Sequence, residues 1–352
     1  MNNFKNTFSV LLLGVTLSGV SYSQNDEVLV GEAFFSQIDE ADNIDSLAIW
    51  KDSNTDEVTL YATAKGTHRL AVSDAENGFP LPYMGTKGVE AGQYNRPNGI
   101  AVAGDFLFVV ERDNRRVQVT DLSREVTLGF FGLDSLIKPY GLYIQSLDSG
   151  TFRVFVTDDY ALVPEVDEPL REGGAKGRIK QFIVGIDKGS MNAKLEKTFG
   201  ADVGESTLHV VESISGDPFY DRLLIADEDP VNGMSIKVFD MKGAFTGESL
   251  GDGIFKYQPE GIALWETGEK SGIWICADQG KAKTIYRLFD RETLEYRGSF
   301  VGKYTSNTDG ICLYPYSIGK YSMGLFYAVH DDSGVGAWSL KDIVEAIALE
   351  KN

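Results

Sequence analysis

Carboxylates recur beside glycines at the ends of strand-like runs: QPEGIAL, LLIADEDP, CADQG, SNTDGI and VHDD. Acidic side chains at such turns either cap and brace the backbone or, where several converge, hold a hard cation. Carboxylates gathered in one place raise one another's pKa. They are tolerable around calcium, which takes roughly six to eight oxygen ligands. The residues in question are Asp45, Glu212, Asp227, Glu228, Asp229, Glu260, Asp278, Asp309, Asp331 and Asp332. Basic and phenolic groups are fewer: Lys65 in ATAKGTHRL, Arg112, Arg115 and Arg116 in ERDNRRVQV, and Tyr140 in KPYGLY. A guanidinium matches phosphate in a bidentate way; the same RDNRR run reads equally as a solvated hairpin turn.

The elements that must position these groups are strands. Short runs of β-formers bounded by Gly, Asp, Asn or Pro recur along the chain, among them VTLYATA, DFLFVVE, RVQVTDL, FRVFVTD, RLLIADE, GIWICAD and GLFYAVH. A short amphipathic helix is expected at the tail, on Ile343, Val344, Ile347 and Leu349. The strands group into units that open on Gly99-Ile100, Gly141-Leu142, Gly261-Ile262 and Gly310-Ile311. A second strand ending in an acidic or polar turn follows each. About six units of this kind predict an all-β fold, a six-bladed β-propeller with antiparallel blades around a central channel. Glu212, Glu260 and Asp309 then occupy equivalent places at one mouth of that channel.

The 352 residues carry a formal net charge of −19. Residues 1–23 read as a secretory signal: Lys5, an apolar run from Phe8 to Val20, and small residues Ser21 and Ser23 before a cut. Secretion or export to a periplasm is expected, with residues 24–352 as one domain. The acidic surface excludes nucleic acid and anionic membranes as partners, and a monomer is expected. Cys276 and Cys312 read either as a disulfide or as two buried thiols, and the three histidines form no zinc motif.

In order along nearly the whole chain, the motifs resemble those of the β-propeller phytases, calcium-dependent phosphatases that release phosphate from phytate. DSLAIW is similar to the family's D-D-P-A-I-W, and ESISGDPFYDRLLIADED to E-G-M-A-A-D-D-E-Y-G-x-L-Y-I-A-E-E-D. PEGIAL, ADQGKAKTIYRLFDR, TSNTDGICL and GLFYAVHDDSG follow in the family's order. The resemblance implies several calcium ions held by Glu212, Glu228, Glu260 and Asp309, with Asp45 beside them. It implies that Tyr140 faces the site and that Arg115 and Lys65 contact the phosphate of a calcium phytate-like substrate. The chain departs from the family at Ser46, Ser213, Gln258 and Asp158-Asp159, where a lysine is replaced by acid. GQYNRPNGIAVAGDFLFVVERDNRRVQV also resembles one NHL repeat, the mark of non-catalytic binding propellers. A third alternative is a metal-dependent propeller esterase or lactonase, for which Asn98 is the one channel asparagine that can be placed.

Overall fold

The computed structural model describes residues 27–37, 39–160, 176–201, 203–231 and 233–349; the signal expected over 1–23 lies outside them. Its β-runs pair into six four-stranded antiparallel blades. The innermost strands are Ile44–Lys51, Pro97–Ala103, Pro139–Asp148, Ile214–Asp217, Gln258–Glu266 and Ile311–Tyr314. Each lies against the next, and the sixth returns to the first, so the blades close a ring. The six-bladed propeller expected from the repeat is the observed fold.

Six apolar clusters fill the six blade junctions. Tyr61 and Leu107 meet between blades one and two, Phe108 and Phe152 between two and three, and Phe155 and Leu223 between three and four. Leu224 packs with Trp274, Ile275 with Phe326, and Tyr327 with Leu60 around the rest of the ring. Each blade therefore buries both faces, and its strands read as continuous apolar runs. Full burial of one such side chain stabilises by about 1.5–3 kcal/mol.

The ring is closed by a strand from the other end of the chain. Phe34–Gln37 is the outermost strand of blade six, with Phe34 opposite Ala337 and Gln37 opposite Gly334. Val28–Leu29 adds a short parallel fifth strand to blade five, Val28 opposite Phe300. The tail helix spans Leu340–Leu349, with Leu340 and Ile343 buried at the junction of blades five and six. Val344, expected on the apolar face, points outward. Cys276 and Cys312 are free thiols.

Candidate metal centre

Six residues stand at the equivalent place where the chain enters each inner strand: Asp45, Asn98, Tyr140, Glu212, Glu260 and Asp309. In four blades this place is a β-bulge. Asp45 and Ser46 together oppose Thr63, and Asn98 and Gly99 oppose Val110. Tyr140 and Gly141 oppose Thr157, and Glu260 and Gly261 oppose Ala277. A bulge kinks the strand and re-aims a side chain, here at the mouth of the channel. The residue after each bulged group must also let the next blade approach. A Cβ at Gly141 would run into the carbonyl oxygen of Glu212, and one at Gly310 into that of Asp45. Below the mouth the channel has about 280 Å³ of space and is lined by Ser46, Ser213 and Ser215 with glycines and apolar residues such as Ile100, Leu142 and Ile262.

Glu212, Glu228 and Glu260 bring carboxylate oxygens within 4.8 Å of one another. Glu228 comes from the end of the second strand of blade four, next to the mouth. Glu228 and Glu260 are almost wholly buried, and Oε1 of Glu228 has no hydrogen-bond donor. Burial, then the charge of its neighbours, pushes both of these carboxyls well above the ordinary range. Burial together with the Asp45 and Asp159 carboxylates raises Glu212 to about 8. Such a trio stays together only by sharing protons or a cation.

The other half of the mouth carries a cation of its own. The Lys65 ammonium lies 2.7 Å from Asp45 Oδ1 and 3.7 Å from Asp309 Oδ2. Tyr140 donates to Asp45 Oδ1 at 2.9 Å, Ser46 to Asp45 Oδ2 at 3.0 Å, and the Gln279 amide to Asp309. Burial works against the Lys65 charge, and the Asp45 and Asp309 carboxylates overcome it, so its pKa lies above the usual lysine value. Burial and the Asp45 charge raise Asp309 to about 8, with Lys65 opposing. Asn98 is fully buried and neither of its amide atoms has a partner.

Asp227 and Asp278, also singled out in the sequence, brace the blades, whereas Asp332 lies beside Lys65 and Asp309 at the mouth. Asp278 accepts from the backbone N–H of Lys256 and Tyr257 and pairs with Arg287 at 2.7 Å. Asp227 takes His209 and Val210 N–H and pairs with Lys237 at 2.9 Å. Asp158 with Lys180 and Glu111 with Arg116 repeat the device in blades three and two. Asp159, set against a family lysine, accepts from Arg178 and from Val211 N–H beside Glu212. Sequence reasoning missed Gln279; its signal was its place, one residue past Asp278, matching Glu228 after Asp227. Gln258 is exposed. Arg115 is exposed on the blade-two hairpin at the same face, and among the described residues no ion pair joins it to the mouth. The donor set, hard carboxylate and amide oxygens with an orphaned Glu228 Oε1, fits calcium.

No family model matches the chain, and no curated protein matches it in sequence. Solved structures match in fold. A gluconolactonase from Xanthomonas campestris is 13% identical, with 86% of each chain covered and a TM-score of 0.54. A chain of Kuenenia stuttgartiensis hydrazine synthase is 14% identical over 90% of this chain and 99% of that one, TM-score 0.53. A β-propeller domain from Myceliophteria thermophila is 11% identical over 87% and 100%, TM-score 0.50. At these identities the likeness is one of fold: the chain is a six-bladed β-propeller.

Proposed function

We propose that the chain is a calcium-dependent, phytase-like phosphomonoesterase acting at the channel mouth. The observation that carries this reading is the buried trio Glu212, Glu228 and Glu260 with oxygens within 4.8 Å. These three residues would hold the cation. A bound calcium supplies charge to offset phosphate oxygens and lowers the pKa of a nearby water. The chain's own groups set the rest. Lys65 is engaged by two carboxylates, so it offers phosphate only a shared charge. The Tyr140 hydroxyl fixes Asp45, and the unpartnered Asn98 amide offers an N–H donor to a substrate oxygen. The signal expected over residues 1–23 supports an extracytoplasmic setting.

The test is phosphate release from phytate with calcium and with a chelator. Release is expected with calcium alone. Glu260→Gln should lower it by roughly two orders of magnitude, since even outer partners of metal ligands cost roughly 10–100-fold. Full release by metal-free protein would refute the reading. Calcium binding that stabilises the protein without turnover would leave a binding propeller.

One observation favours a second reading, a metal-dependent lactonase. The unpartnered Asn98 adds an amide oxygen to the donor set, and the fold is shared with a gluconolactonase. Proton release from gluconolactone, with no phosphate from phytate, would select it.

A further inference from the structure

The mouth is divided into two unlike halves. On blades four and five, three carboxylates face one another with no ion pair among the described residues, and Glu228 Oε1 is orphaned. On blades one and six, Asp45 and Asp309 already have partners on all four oxygens: Lys65 and Tyr140 on Asp45 Oδ1, Ser46 on Oδ2, Lys65 on Asp309 Oδ2, and Gln279 on Oδ1. A cation arriving at the mouth meets three carboxylates in the first half, each offering an oxygen within 4.8 Å of the others. In the second half it must first displace an ammonium that is only 9% exposed.

Lys65 is also placed to stay. It stands directly after the second strand of blade one, where blades three, four and five carry Asp159, Glu228 and Gln279. Its backbone N–H is tied to the Asn43 carbonyl at 3.1 Å, so the stem of the side chain starts from a held position. A buried ammonium losing both carboxylates would be left without compensation, which is strongly unfavourable.

We propose that the Lys65 ammonium is a resident cation filling the Asp45–Asp309 half of the mouth, so that the mouth takes one divalent ion, at Glu212, Glu228 and Glu260. The inference rests on the trio being the cation site proposed above. It differs from the multi-ion mouth that the phytase resemblance implies. Lys65 then acts as a positioning residue that sets metal number.

The experiment is calcium titration of the metal-free full chain by isothermal calorimetry, with circular dichroism to check that each variant is folded. The wild-type chain should lose one ion on Glu228→Gln and none on Asp309→Asn. Lys65→Met should gain one ion, which Asp309→Asn in the same chain removes, and Lys65→Arg should gain none. Loss of an ion from the wild-type chain on Asp309→Asn, or no gain in folded Lys65→Met, overturns the proposal. If Lys65→Met does not fold, the Glu228→Gln and Asp309→Asn counts decide alone. The count is independent of turnover. One ion without phosphate release removes the phosphatase and keeps the inference; two ions with release do the reverse. No calcium bound at all removes both.

Discussion

At the scale of the residue, what separates the carboxylates is whether a donor or cation meets them. Asp278 is fully buried with Arg287 and two backbone N–H groups, so removing it strands a guanidinium. Asp278→Ala should cost about 3–5 kcal/mol in urea unfolding, the usual loss on breaking a buried pair; an unchanged midpoint would contradict the brace. The trio behaves oppositely. Glu212 is held at about 8 in the fold against an ordinary 4.5. A carboxyl with a raised native pKa binds its proton in the folded state. Its contribution is fullest below about 4.5 and is lost as the pH climbs to about 8. Under the proposed function calcium would replace those protons, so its stabilisation should be larger at pH 8 than at pH 5 in thermal melts. Equal shifts at both pH values would count against a calcium-loaded trio.

At the scale of the element, a bulge and a small residue work together. The bulge turns Tyr140 toward the mouth, and Gly141 lets the Glu212 carbonyl close in behind it. Thr157 ties the two blades by donating to the Glu212 carbonyl at 2.9 Å and accepting from Gly141 N–H at 2.7 Å. Gly141→Ala should therefore destabilise by about 1–3 kcal/mol, as overpacking does, and weaken calcium binding because Glu212 moves with its backbone. Gly31→Ala, with open space around the new methyl group, is the control and should stay within about 0.5 kcal/mol. Calorimetry and chemical unfolding on the two variants would check both.

At the scale of the molecule, the mouth exists only because the ring is closed. Phe34–Gln37 covers the edge of Gly334–Ser339, and blade six carries Asp309. Removing residues up to 37 leaves that edge unpaired, and an uncovered edge invites pairing with another chain. The truncated protein should melt lower, bind calcium more weakly and associate in gel filtration. A truncated chain that stays monomeric with an unchanged melting temperature would show that closure lies elsewhere.

The sequence by itself determined the blades and the places at the mouth. Strand period, turn residues and the repeated glycine before Ile or Leu are local signals, and each marks the same point in its own unit. The braces are local too: Asp278 and Arg287 sit on paired neighbouring strands. Only the tertiary structure decided which carboxylates are satisfied. Asp45 meets Lys65 from its own blade and Tyr140 from blade three, and Lys65 reaches Asp309 in blade six. The closing strand Phe34–Gln37 was equally hidden, because its partner lies at the far end of the chain. Local pattern sets a residue's face and its place along a strand. Distances across the channel are set by ring closure, which no local window contains.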